Sequence, residues 1–287
     1  MSDIEFARCR SLKEVLDLKA ARGEGAAVLA GGTDLAIRLR DRGPGGGALT
    51  LCDITPLSEL RFIREEGGGL ALGPLTTHAE LTSSPLLRAA APALADAAGS
   101  VGSTQIRAMG TIGGNVCNAS PCADTVPALL LCDAMLTLSS ASGEREVPLG
   151  AFIKGPYRTL LRPDEVLTRV SLRPPARGSG MAFFKLGRRN ACSIARMNFA
   201  AAVRTGGGGV IEEARVAAGS VTPTAMRFTA IEGFLKGKAP TRDLCREAGV
   251  LMARIMVDVS GRRWSTPYKE PVSAALCARV LVKACGL

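Results

Sequence analysis

Two glycine pairs are the residues of this sequence whose type and spacing best suit chemistry. Gly31-Gly32 follows a short apolar run at 26–30, and Gly113-Gly114 lies among Thr, Asn and Ser side chains. Glycine lets the backbone approach a ligand closely, and several N–H groups aimed at one point can hold a diphosphate without basic side chains. Together the pairs predict a site for the diphosphate of a long dinucleotide cofactor. An ordinary turn or a surface loop is the alternative for each.

Other kinds of site are not expected. The glycine spacing is not G-x-G-x-x-G, so we do not predict a Rossmann site. The nine cysteines include no C-x-x-C pair, and His78 is the single histidine, so a metal held by the protein is not expected. His78 follows a helix cap and could act as a general base, although a structural role is the favoured interpretation.

Composition narrows the class of protein. The formal charge is +10, but the basic residues are scattered and aromatics make up 4%, so no nucleic-acid partner is expected. No apolar run reaches the roughly 18 to 20 residues that cross a bilayer, so no membrane span is predicted. The odd cysteine count and the lack of an export signal favour reduced thiols and a cytoplasmic location.

The elements that must position the first glycine pair are a strand and a helix. Ser11 and Glu14 form a possible capping box for a helix to about residue 21. The apolar run at 26–30 predicts a strand that ends at the glycines, and 35–40 predicts a helix. A loop at 43–47, a strand at 48–54 and a hairpin within 61–73 follow.

The second pair lies between helices and strands. A capping box at Thr77 predicts an alanine-rich helix that runs through Pro85 and ends near Gly99. After the glycine segment we predict a helix at 124–131 and strands at 134–139 and 166–172.

The segment 173–180 predicts a linker, because Pro and Gly stop both helix and strand. An antiparallel sheet is expected beyond it, with a hairpin turn at 206–209. Three helices close the chain, and we expect Pro271 in the first turn of the last one. The strands are predicted at 181–186, 194–203 and 210–218, and the helices at 228–236, 241–257 and 271–285.

Several segments in fixed order resemble one known family, the FAD-binding subunits of molybdenum hydroxylases. This family includes xanthine dehydrogenase, carbon monoxide dehydrogenase, nicotinate dehydrogenase and aldehyde oxidoreductase. The resemblance continues through 157–161 and 183–189, so it covers nearly the whole chain. The segments are Leu29-Ala30-Gly31-Gly32-Thr33-Asp34, Gln105-Ile106-Arg107, Thr111-Ile112-Gly113-Gly114-Asn115 and Ala119-Ser120-Pro121 with Asp124.

The resemblance implies an α+β fold and FAD as cofactor. A two-lobed FAD-binding domain of the vanillyl-alcohol-oxidase (PCMH) type would occupy 1–176, with lobes at about 1–54 and 55–176. A smaller α+β domain at 177–287, with an antiparallel sheet and helices, would partly cover the cofactor.

The resemblance also implies which residues bind FAD. Leu29 to Leu35 and Thr111 to Asn115 would hold the diphosphate, Asp124 would bind near the ribose or ribityl chain, and Leu161 and Lys185 would lie near the isoalloxazine ring. A cation at Lys185 would favour negative charge on that ring, whereas a solvated strand lysine is the alternative. The implied contacts are Leu29, Ala30, Gly31, Gly32, Thr33, Asp34, Leu35, Val101, Gly102, Thr104, Thr111, Ile112, Gly113, Gly114, Asn115, Ser120, Asp124, Leu161 and Lys185.

Two departures from relatives limit these implications. Some relatives place an aromatic residue near the flavin at the positions of Val101 or Ala108, and neither is aromatic here, so ring stacking is in doubt. The cysteine-rich loop that holds an extra iron–sulfur cluster in some relatives has no counterpart in this sequence.

The implied function is electron transfer. FAD would receive electrons from a small subunit with two [2Fe–2S] clusters, beside a large molybdopterin subunit, and pass them to an external acceptor such as NAD. No catalytic residue of this chain is predicted. A stand-alone FAD oxidase or reductase of the same fold is the alternative, and the scarcity of His and Tyr argues against it. A basic nucleic-acid-binding module is a further alternative that rests on charge alone.

Overall fold

The computed structural model describes residues 4–41 and 47–287. The loop expected at 43–47 therefore lies almost entirely outside the described residues. The described chain combines helices with four sheets, as an α+β fold requires. We refer below to the first, second and third sheets in chain order.

The first sheet is parallel, with strand order β1-β3-β2. The strands predicted at 26–30 and 48–54 and the two predicted helices are present. The strand β1 was not predicted, because no turn residues mark its start. The hydroxyl of Ser11 accepts from the Glu14 amide at 3.3 Å, but the Glu14 carboxylate accepts from the amide of Arg10, so the capping box is incomplete. The elements are β1 (Ile4–Arg8), α1 (Leu12–Arg22), β2 (Ala26–Leu29), α2 (Leu35–Asp41) and β3 (Leu49–Asp53).

The second sheet is antiparallel, with strand order β4-β5-β10-β6-β7. The predicted hairpin is its β4-β5 edge, and β7 was not predicted because its alternate residues are charged and exposed. A small two-stranded sheet of β8 and β9 lies between β7 and β10 in sequence. The strands are β4 (Ile63–Glu66), β5 (Gly69–Leu72), β6 (Met135–Ser140), β7 (Gly143–Pro148), β8 (Ile153–Gly155), β9 (Arg158–Thr159) and β10 (Val166–Leu172).

Short helices follow β5 and β7 in the chain. The prediction of one helix from Thr77 to Gly99 is wrong: Pro85 and Pro92 each begin a new helix, because proline lacks the N–H that would continue the old one. The complete capping box at Thr77 is confirmed. The helices are α3 (His78–Ser83), α4 (Pro85–Ala90), α5 (Pro92–Gly99), α6 (Thr104–Met109), α7 (Ile112–Asn118), α8 (Thr125–Leu131) and α9 (Leu149–Phe152).

The third sheet is antiparallel, as the sequence predicted, and its strand order is β11-β12-β13-β14. The short strand β14 was not predicted. The last helix begins at Thr266 rather than at Pro271, which lies inside it. Pro267 supplies the proline of the first turn instead. The elements are β11 (Gly180–Leu186), β12 (Met197–Thr205), β13 (Ile211–Gly219), β14 (Met226–Arg227), α10 (Thr229–Leu235), α11 (Arg242–Ser260) and α12 (Thr266–Ala284).

The third sheet is buried on both faces. Along β12, Ala200 and Ala202 pack into the core of the second sheet, whereas Phe199, Ala201 and Val203 pack against the C-terminal helices. This alternation follows from the two-residue period of a strand. Small alanines therefore let the third sheet lie close to α5 and α8, both of which it contacts.

No helix in the described ranges is long and apolar enough to cross a membrane.

Candidate functional site

A cleft of about 320 Å³ lies between the elements of the first and second sheets. One wall is formed by β2, the corner after it and α2. The other wall is formed by His78, by the segment from Val101 to Asn118, and by Leu161 and the start of β10. The cleft thus brings together the two glycine pairs, which are about 80 residues apart in sequence.

The first glycine corner touches the backbone that precedes the second. A Cβ atom at Gly31 would lie 2.0 Å from the carbonyl oxygen of Met109, so this position admits no side chain. Gly32 has a φ of 69°, a left-handed conformation that strains other residues. Both glycines are therefore needed for the corner to reach α6 while its chain turns into α2.

The amides of the first corner are free backbone donors beside this cleft. Within the described part of the chain, the amides of residues 31–35 have no hydrogen-bond acceptor. The residues around them line the cleft. Unpaired amides of this kind fit an anionic ligand such as a diphosphate, because a ligand oxygen would satisfy several of them at once.

The second glycine pair differs from the prediction. Gly113 and Gly114 lie in the first turn of α7 rather than in an open turn. The Gly113 amide donates to the carbonyl of Pro74 at 2.9 Å, and the Gly114 amide donates to the Thr111 hydroxyl at 3.1 Å. These amides are already used, so the pair contributes close packing and an open cleft wall rather than free donors.

Polar side chains on α7 complete this wall. Oδ1 of Asn115 accepts from the hydroxyl of Thr125 at 2.7 Å, and Asn115 lines the cleft. The Oδ1 atom of Asn118 is buried without a hydrogen-bond partner among the described residues, and Asn118 also lines the cleft. An enclosed acceptor without a donor fits a ligand with hydroxyl groups, such as a ribityl chain.

Two basic residues at the cleft were not predicted from the sequence. Arg38 on α2 and Lys19 on α1 both line it. Lys19 donates to the carbonyls of Ala26 and Gly23, at 2.7 and 3.1 Å, and burial lowers its pKa. The helical spacing of Arg38, one turn after Asp34, was the available sequence signal for a cation beside the corner.

Asp124 and Lys185 form a buried ion pair outside the cleft lining. Their charged atoms are 2.6 Å apart, and Lys185 also donates to the carbonyl of Ser100 at 2.9 Å. Asn198 donates to the second oxygen of Asp124 at 3.1 Å. Burial raises the pKa of the Asp124 carboxyl, and the charge of Lys185 opposes that change. The carboxylate of Asp124 therefore balances the charge of the cation predicted at Lys185.

The predicted contacts fall into two groups. Ala30, Gly31, Gly32, Thr33, Asp34, Leu35, Val101, Thr111, Gly113, Gly114, Asn115 and Leu161 line the cleft. The remaining predicted contacts are not among its lining residues: Leu29, Gly102, Thr104, Ile112, Ser120, Asp124 and Lys185.

Residues 4–41 and 47–287 contain no group of three or more His, Cys, Asp or Glu side chains that could hold a metal ion.

An α+β fold with unpaired amides, an enclosed amide oxygen and a cleft between two sheets fits a protein that binds an anionic dinucleotide. The chain belongs to the FAD-binding domain family of molybdopterin dehydrogenases, whose model matches residues 2–175. Residues 182–284 match the C-terminal domain of carbon monoxide dehydrogenase flavoproteins. The predictions of FAD as cofactor, of an α+β fold and of an oxidoreductase class are confirmed.

Curated relatives agree over nearly the full length. The nicotinate dehydrogenase FAD-subunit of Eubacterium barkeri is 32% identical, over 94% of this chain and 92% of its own. The carbon monoxide dehydrogenase medium chain of Hydrogenophaga pseudoflava is also 32% identical, over 96% of this chain and 95% of its own.

Solved structures show the same fold. A carbon monoxide dehydrogenase from Hydrogenophaga pseudoflava aligns with a TM-score of 0.90 at 32% identity, over 99% of this chain and 97% of the other. Quinoline 2-oxidoreductase from Pseudomonas putida 86 aligns with a TM-score of 0.88 at 27% identity, over 99% and 97%.

Proposed function

We propose that this chain is the FAD-carrying electron-transfer subunit of a molybdenum-containing dehydrogenase, and that it holds the FAD diphosphate at residues 31–35. The observation that carries the proposal is the row of unpaired amides at this corner, whose residues line the cleft. The family to which the chain belongs supplies the identity of the dinucleotide.

Different residues around the corner would bind different parts of FAD. Amides of 31–35 and the charge of Arg38 would hold the diphosphate, and Asn115 and Asn118 would bind hydroxyl groups further along the cofactor. Leu161 would pack near the ring. Bound FAD would supply the redox chemistry, and the chain would position it and restrict access of water and oxidants.

The ion pair of Asp124 and Lys185 would support the cleft wall without lining the cleft. Lys185 reaches the carbonyl of Ser100, which precedes the cleft residue Val101. Through that contact β11 would fix the loop that forms the cleft wall. The predicted direct contacts of Asp124 and Lys185 with FAD remain proposals.

The partners and the domain division are also proposed. A small subunit with two [2Fe–2S] clusters would deliver electrons, and a large molybdopterin subunit would bind the substrate. The names of relatives support a multi-subunit assembly, since these proteins are called medium chains and FAD subunits. We propose domains at 1–176 and 177–287, and a cytoplasmic location, which suits nine cysteines that are all unpaired.

Replacing Gly32 with Val tests the proposed cofactor site. The added side chain forces a strained φ at the corner, so its amides would no longer converge, and we expect at least a tenfold loss of bound flavin, or about 1.4 kcal/mol of binding free energy. Gly114→Val, which narrows the cleft beside Thr111, should also reduce flavin content. The measurement is the ratio of flavin to protein absorbance after purification.

Gly68→Val is the matched control. Gly68 also has a positive φ, 77°, but it lies in the β4-β5 turn with open space around it. This variant should lose similar stability and keep its flavin. Full flavin content in both Gly32→Val and Gly114→Val would contradict the assignment of the site.

A further inference from the structure

His78 is a buried polar residue that has no role in the proposed function. It is the first residue of α3 and the single histidine of the chain. The residue is 3% exposed, and it lines the cleft. Its backbone amide donates to the carbonyl of Gly110 at 3.0 Å. This bond fixes α3 against the residues that lead into the second glycine pair.

The ring has no hydrogen-bond partner within residues 4–41 and 47–287. Nδ1 is enclosed and unpaired, whereas Nε2 is not among the enclosed atoms. Burial, aided by the charge of Arg107 on α6, lowers the pKa of His78 to about 4. The imidazole is therefore neutral near pH 7 and carries one proton. An unpaired N–H is rarely left buried in proteins, so the proton belongs on Nε2.

The edge of the ring that carries Nε2 faces the first glycine corner. The position of an ideal Cβ on Gly110 lies 3.2 Å from His78 Cδ2 and 3.4 Å from the hydroxyl oxygen of Thr33. Cδ2 is bonded directly to Nε2. One point beside Gly110 is therefore close to both this ring edge and Thr33, one of the residues whose amides lack acceptors.

We propose that the Nε2–H group of His78 donates a hydrogen bond to the diphosphate of FAD bound in the cleft. The inference rests on the proposed function, which places that diphosphate at residues 31–35. A neutral donor enclosed on one side and open to the cleft on the other binds an oxygen anion without bringing a buried charge of its own. His78 is thus assigned to cofactor binding, opposite the amide corner.

The single histidine makes the contact directly observable. With nitrogen-15 labelled histidine, the NMR spectrum of the apoprotein should show one imidazole, neutral and protonated at Nε2. Adding FAD should shift the Nε2 resonance more than that of Nδ1. ADP, which carries the diphosphate, should produce a similar shift, and riboflavin, which lacks it, should not.

Two variants separate the hydrogen bond from a structural role. His78→Phe fills the space without a donor and should weaken FAD binding by about 10- to 100-fold, the usual effect of losing a hydrogen bond to a charged group. His78→Gln retains an N–H donor and should stay within about threefold of wild type. Circular dichroism and urea unfolding of each apoprotein report whether the fold is intact.

The outcomes are distinguishable. Stoichiometric FAD binding with unmoved imidazole resonances would overturn the proposal and leave the FAD site standing. A shift with riboflavin but not with ADP would also overturn it, because the contact would then be to the ring. Failure of the wild-type chain to bind FAD at all would overturn the proposed function and this contact with it.

Discussion

At the scale of single residues, the cleft is defined by polar groups that lack partners. The amides of 31–35, Oδ1 of Asn118 and Nδ1 of His78 are each unpaired in the described structure, and all belong to residues that line one cleft. An enclosed polar atom without a partner costs about 1 to 3 kcal/mol, so Oδ1 of Asn118, together with the unpaired amides of 31–35, indicates a ligand that would pair with them.

The lowered pKa of His78 predicts how the stability of the apoprotein depends on pH. The folded chain holds the pKa of this histidine at about 4, below its ordinary value of 6.5, because burial disfavours the charged ring. Between these values the unfolded chain binds a proton that the folded chain does not, so stability falls as pH falls from about 6.5 to about 4. The full loss is about 3 kcal/mol.

The measurement is urea unfolding of the apoprotein between pH 7 and pH 4, compared with His78→Gln. Other groups titrate in both proteins, so the difference between the two curves isolates the histidine. Parallel curves for the two proteins across this range would show that His78 is not held neutral by the fold.

At the scale of elements, β11 is joined to the second sheet by a buried ion pair. Lys185→Met leaves the Asp124 carboxylate enclosed without its cation, and we expect a loss of about 3 to 5 kcal/mol in the free energy of unfolding. The double variant Asp124→Asn with Lys185→Met removes both charges and should recover most of that loss. Urea unfolding at pH 7 measures both.

Lys13→Met provides the control for that experiment. Lys13 pairs with Asp17 at the same distance, 2.6 Å, but both side chains are exposed. Its replacement should cost far less than that of Lys185, because water screens an exposed ion pair. Additive losses from Asp124→Asn and Lys185→Met would mean that the two residues do not act as a pair.

The same elements show what the sequence could and could not predict. Strands with alternating or continuous apolar residues, such as β10 and β12, were placed well because their burial pattern is local. The helices from 78 to 99 were merged because the apolar pattern continues across Pro85 and Pro92. The first corner was predicted from Gly31-Gly32, but the use of the Gly113 amide by Pro74 depends on tertiary contact and has no local signal.

At the scale of the whole molecule, long-range contacts assemble the site. Asp124 and Lys185 were predicted as separate FAD contacts, and they are 61 positions apart. The fold pairs them with each other. The cleft similarly joins residues from Lys19 to Leu167. Sequence motifs could name many of these residues, whereas their partners and relative positions required the folded chain.

The proposed assembly predicts that the chain does not work alone. Co-expressed with its native neighbours, it should co-purify with a smaller iron–sulfur subunit and a larger molybdopterin subunit. No cluster of metal-ligating side chains among the residues described here could replace those centres. Size-exclusion chromatography with metal analysis tests this, and a monomer that oxidises a substrate unaided would contradict it.

The central claim is that the cleft holds one FAD. The most direct measurement is the flavin released when the purified chain is denatured, identified by chromatography and compared with protein concentration. The account predicts a yellow protein that releases one FAD per chain and no FMN. A folded chain that remains colourless after incubation with excess FAD would contradict it.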